Sequence, residues 1–139
     1  MFLGRKRELK KLEDLWHTNT FQLPVLYGRR RVGKTALIRQ FFQGKPDTIF
    51  FTAVEANAEQ NLENLSARIL HSNQVTFSNF QEALTHIFQQ SLQKRLLVAF
   101  DEYPYLAKAY PAISSILQYL IDEYRDRSKL FLILCGSSM

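Results

Sequence analysis

The chain has 139 residues, 46% of them hydrophobic, and 18 basic against 13 acidic side chains give it a net charge of +5. That is one ordinary domain with enough apolar material for a core, which excludes a disordered segment. The longest apolar runs, 96–100 and 130–135, are too short for a membrane helix of about 20 residues, residues 1–8 hold no apolar core long enough for a signal peptide, and a single cysteine, Cys135, excludes an internal disulfide, so a cytoplasmic chain is expected.

Residues 8–17 carry Leu9, Leu12, Leu15 and Trp16 at helical spacing and predict an amphipathic helix, preceded and accompanied by the basic cluster Arg5, Lys6, Arg7, Lys10 and Lys11. The apolar run 21–27 predicts a buried strand ending at Gly28. Residues 35–42 predict a helix stopped by Gly44 and Pro46, and 48–53 (TIFFTA) a β-branched and aromatic strand. Two helices follow, 59–71 with Leu62, Leu65, Ile69 and Leu70 on one stripe, and 80–92 with Phe80, Leu84, Ile87, Phe88 and Leu92. Ser78, with Gln81 three residues on, is the expected N-cap of the second. Residues 96–100 (LLVAF) read as a strand, 112–124 as a helix burying Ile113, Ile116, Leu117, Leu120 and Ile121, and 130–134 as a fourth strand. Unbroken apolar strands separated by helices indicate an α/β fold with a parallel sheet covered on both faces. The last strand ends close to Met139, so the expectation is the front part of a larger domain or protein.

The chemistry concentrates at strand ends. Residues 27–35, YGRRRVGKT, match the phosphate-loop pattern Gly-x4-Gly-Lys-Thr between a strand and a helix. Gly28 turns the chain off the strand, and Gly33 lets the backbone approach phosphate without a Cβ in the way. The N–H groups from Gly28 through Arg29, Arg30, Arg31, Val32 and Gly33 to Ala36 then form an anion nest at a helix N-terminus. Lys34 is expected to reach the β- and γ-phosphates, and the Thr35 hydroxyl to serve as a Mg²⁺ ligand. The run 96–102 (LLVAFDE) delivers two carboxylates to the carboxyl edge of the sheet, where open α/β sheets bind ligands. Asp101 is expected to hold Mg²⁺ through water, and Glu102 to polarise an attacking water. In 132–138 (LILCGSS) a strand ends in small polar residues that can reach the γ-phosphate or the water beside Glu102, and Gly-Ser-Ser is also ordinary turn chemistry. His17, His71 and His86 show no metal-ligand spacing, Cys135 reads as a core thiol, Tyr103 and Tyr105 as loop packing, and Arg125 and Arg127 as helix-end charges.

Four stretches in order, FLGRKREL (2–9), YGRRRVGKT, FDEYPYL (100–106) and LILCGSS, resemble the archaeal-type ATPases of the AAA+/STAND branch of P-loop NTPases. The resemblance spans essentially the whole chain. It implies a three-layer, additional-strand sheet, with the LILCG strand between the phosphate-loop strand and the DE strand. It implies ATP as the nucleotide, Gly4 and Arg5 near the adenine, and Ser137, or its neighbour Ser138, as a sensor of the γ-phosphate. The expected division is a single ATPase domain over 1–139, with a Gly-Arg box and helix in 1–20 and the nucleotide-binding core in 21–139. Family members usually continue into a fifth strand, a helical lid and C-terminal domains. These would carry the lid arginine and any nucleic-acid or protein partner or homo-oligomer contact.

Three functions are weighed on this sequence. The first is a Mg²⁺-dependent ATPase or ATP switch. The second is a P-loop kinase acting on a small acceptor, disfavoured because a glutamate beside the metal aspartate suits water. The third is a nucleic-acid module using the basic N-terminus and Arg29–Arg31, whose charge equally suits an anionic small ligand.

Overall fold

The computed structural model of the chain describes residues 5–28 and 33–137. The order is α1 (Arg5–Trp16), β1 (Val25–Gly28), α2 (Lys34–Phe42), β2 (Thr48–Thr52), α3 (Ala58–Leu70), α4 (Phe80–Gln90), β3 (Leu96–Asp101), α5 (Tyr103–Ala109), α6 (Ile113–Tyr124) and β4 (Leu130–Ser137). The four strands form one parallel sheet in the order β1-β4-β3-β2. The last strand thus lies between the first and the third, as the resemblance implies.

All six residues of β3 are buried, because the central strand is covered on both faces, and strand alternation divides its side chains between two cores. Leu97 and Ala99 face one side, with Phe131, Ile133 and Cys135 of β4, against Leu37, Ile38 and Phe41 of α2 and Leu12 of α1. Leu96, Val98 and Phe100 face the other, with Leu130 and Leu132, against α3 to α6. Three layers result. The same parity sends Asp101 and Ser137 to the α2 side, and this places the site. Among the described residues, no helix is long and apolar enough to cross a membrane.

The structure corrects three local expectations. Only Val25–Gly28 of the run 21–27 is strand, preceded by a single bridge from Gln22 to Phe131. Pro24 lies between them and has no N–H to give, although its carbonyl accepts from Leu134 N–H at 3.0 Å. The N-cap of α4 is Asn79, not Ser78: its Oδ1 accepts from Glu82 N–H at 2.8 Å, while Glu82 Oε1 accepts from Ser78 N–H at 3.2 Å. Asn caps as well as Ser does, and Glu82 stands three residues after it, so the cap shifts by one. Finally, residues 103–109 form helix α5 rather than a loop. Pro104 lies in its first turn, where its missing N–H costs nothing.

Arg95, which no sequence pattern marks, fixes α1 to the sheet. Its guanidinium donates to the carbonyls of Thr20 (2.6 Å), Lys129 (3.0 Å), Trp16 (2.9 Å) and Leu15 (3.3 Å). It also stands 4.7 Å from the Trp16 ring centre and 5.3 Å from that of Phe131. A cation on the last carbonyls of α1 suits the helix dipole, and a planar fork reaches several acceptors at once. Arg95→Ala is expected to lower the unfolding free energy by about 2 kcal/mol in denaturant titrations, and Arg95→Lys to recover less than half of that.

Candidate functional site

The site is assembled where β1, β3 and β4 end and α2 begins. Gly33 caps α2 in the left-handed region, φ 81°, with no side chain to satisfy the first turn. The helix ladder starts there, with Leu37 N–H donating to the Gly33 carbonyl at 2.9 Å. The first turn also carries no carboxylate of its own, and the helix N-terminus presents its positive end to an anion.

Lys34 and Thr35 each meet one strand. The Lys34 side chain is buried, and its Nζ lies 3.4 Å from Ser137 Oγ at the end of β4. Thr35 Oγ1 donates to Asp101 Oδ2 at 3.0 Å at the end of β3. Asp101 is itself buried, and its other oxygen, Oδ1, accepts the Glu102 N–H at 2.9 Å. A carboxylate held on both oxygens by donors from two elements has a fixed orientation. Glu102 is half-buried and leaves the strand in the left-handed region at φ 56°, ψ 40°, as the N-cap of α5. A non-glycine residue there is strained, a common mark of functional sites.

The structure therefore brings together Gly33, Lys34, Thr35, Asp101, Glu102 and Ser137, with Gly28 ending β1 beside Ser137 in register and Ala36 exposed in the first turn of α2. Gly4, Arg29, Arg30, Arg31, Val32 and Ser138 lie outside the described residues, as does the side chain of Arg5. Thr35 and Asp101 fit a small hard cation: both are oxygen donors, they come from adjacent elements, and they already lie at hydrogen-bond distance.

Two features escape sequence reading. Gly136 sits where a Cβ would come within 2.8 Å of Pro104 Cδ and 2.9 Å of Tyr27 Cε1. The small residue before Ser137 is thus required by the approach of α5 and β1, not by backbone freedom. Cys135 follows the pair Phe100–Leu134 in the β3–β4 register and so stands beside Asp101 on the α2 side. Burial, followed by the negative charge of Asp101, pushes its thiol up to about 12. It is buried and stays un-ionised at neutral pH, so iodoacetamide is expected to label Cys135 only on unfolding. Labelling of the native chain at the rate of a free thiol contradicts this placement.

Comparison with known proteins bears on the same arrangement. Residues 2–139 match the model of an ATPase domain predominantly from Archaea. An uncharacterised protein of Methanocaldococcus jannaschii is 30% identical over 139 residues, covering 100% of this chain and 30% of that protein. An uncharacterised ATP-binding protein of the same organism is 56% identical over 45 residues, which are 32% of this chain and 76% of that one. The Walker-type ATPase of Pyrococcus abyssi, at 23% identity, superposes with a TM-score of 0.68 over 95% of this chain and 44% of its own, a likeness of fold. The chain spans less than half the length of the first relative and of this solved structure. On a match that runs from residue 2 to residue 139, with the parallel P-loop sheet beneath it, the chain belongs to the family of ATPase domains found predominantly in Archaea.

Proposed function

We propose that this chain binds ATP with Mg²⁺ at the carboxyl edge of the sheet and hydrolyses it as an ATP-driven switch or motor module of a longer protein. The observation that carries the reading is the 3.0 Å contact between Thr35 Oγ1 and Asp101 Oδ2. It joins the helix after the phosphate loop to the strand that ends in Asp-Glu.

The backbone donors from Gly28 to Ala36 cradle the phosphates, with Arg29, Arg30, Arg31 and Val32 supplying N–H groups. Lys34 exchanges Ser137 Oγ for the β- and γ-phosphate oxygens. Thr35 and Asp101 would hold Mg²⁺, which when bound would neutralise phosphate charge as it develops. Glu102 accepts a hydrogen bond from the water that attacks the γ-phosphorus and takes up its proton. Ser137, brought beside Lys34, donates to the γ-phosphate and so distinguishes ATP from ADP. Gly4 and Arg5 lie against the adenine. A nucleic-acid or protein partner, and any assembly of copies, belong to the longer protein.

A double-mutant cycle tests the metal pair. Thr35→Val and Asp101→Asn are each expected to weaken the Mg²⁺-dependent part of ATP affinity by roughly tenfold. The double variant is expected to lose little more than the worse single one, because both act on one ion. Losses that simply multiply would place the two residues in separate roles.

A further inference from the structure

Among the described residues the sheet ends on β2, and no described strand pairs with its outer margin. Leu97 N–H donates to the Asp47 carbonyl at 3.0 Å, and Ala53 N–H to the Asp101 carbonyl at 2.9 Å. In a parallel ladder this fixes the alternation: residues 47, 49, 51 and 53 bond inward to β3. The main-chain N–H and C=O groups of Thr48, Phe50 and Thr52 therefore point away from the sheet, and no described residue bonds to them. Soluble proteins blunt such margins with proline, lysine or a bulge. The strand TIFFT has none of these, and its composition is what pairs readily with another chain.

Beside this margin runs an open groove of about 720 Å³, lined by all five β2 residues and by Ala67, Arg68, His71 and Asn73 at the end of α3 and beyond. Among the described residues of the lining, Arg68 is the one charged side chain and none is a carboxylate. On the opposite face of the strand the Arg39 guanidinium stands 4.6 Å over the Phe50 ring. The margin is thus flanked by a cation on each side.

We propose that β2 is a docking strand, to which an extended segment of a partner protein adds as a further strand, setting an acidic side chain against Arg68. The free main-chain groups call for another polypeptide backbone, which nucleic acid cannot match. The cations select carboxylates. A second copy paired through its own β2 would bring two Arg68 side chains into one interface, where like charges repel.

The test uses the intact chain and two synthetic probes: an end-capped heptapeptide of alternating Thr and Val with a central Glu, and its twin with a central Lys. The Glu probe is expected to bind on the order of tenfold tighter than its twin and to slow amide hydrogen exchange at Thr48, Phe50 and Thr52. Ile49 and Phe51 are protected with or without it. Arg68→Glu, an exposed change, is expected to reverse the preference, and Thr48→Pro, which deletes one outward donor and leaves the inward ladder intact, to weaken the Glu probe. Equal binding of the twins overturns the proposal, as does unchanged exchange at the three outward amides with about 1 mM Glu probe. Dimerisation through β2 without any probe overturns it in favour of a second copy.

Discussion

Replacing Glu102 by glutamine is expected to leave ATP binding intact and to slow hydrolysis by about 10² to 10⁴-fold, measured as phosphate release by the full-length protein. The residue begins α5 in a left-handed backbone conformation, and its N–H is bonded to Asp101 Oδ1. Glutamine keeps that backbone, that bond and the side-chain volume, and removes only the capacity to take a proton. Binding and chemistry therefore separate in this variant. A variant that releases phosphate at the normal rate rules out Glu102 as the base. One that no longer binds ATP shows that the carboxylate acts on the ground state.

Lys34→Ala has the opposite signature, a loss of nucleotide affinity of roughly 100-fold in equilibrium titration. The lysine is 5% exposed, and among the described residues it is a cation close to Asp101 and Glu102 around Cys135. In the proposed site its ammonium gives charge-assisted hydrogen bonds to phosphate, each stronger than a neutral one. Without it, the repulsion between the nucleotide and the carboxylates of Asp101 and Glu102 is less well compensated. Lys34→Arg is expected to rescue poorly, because a planar fork does not occupy the place of a compact ammonium beside Ser137. Circular dichroism that matches the parent chain shows the loss to be local.

Much of this fold is legible in the sequence because its two central strands, β3 and β4, are buried on both faces. Residues 96–100 and 130–134 are unbroken apolar runs, and nothing but a covered parallel strand explains two such segments between amphipathic helices. The strand order is different. Chain order alone would place β2 beside β1, and only the resemblance puts β4 there. Helix α5 was hidden by Asp101-Glu102-Tyr103-Pro104, which looks like a turn. Glu102 takes a conformation usually left to glycine, and Pro104 then falls where a helix accepts it.

The site divides in the same way. Lys34, Thr35, Asp101 and Glu102 are local signals, each fixed by its place at a strand end or helix start. The neighbours of Asp101 are not local. Cys135 reaches it through strand register, and Gly136 is small because Pro104 and Tyr27 crowd it. Arg95 finds the carbonyls of Leu15, Trp16 and Thr20 at separations of 75 to 80 residues. No periodicity announces such contacts, because they depend on how finished elements pack.

The proposed Mg²⁺-ATP site of α2, β3 and β4 is decided by equilibrium titration of this chain with ATP, in Mg²⁺ and again in EDTA. Saturable binding is expected with Mg²⁺, weakened by at least about tenfold in EDTA and by roughly 100-fold in Lys34→Ala. Binding of equal strength in Mg²⁺ and EDTA, or binding that survives Lys34→Ala unchanged, would contradict it.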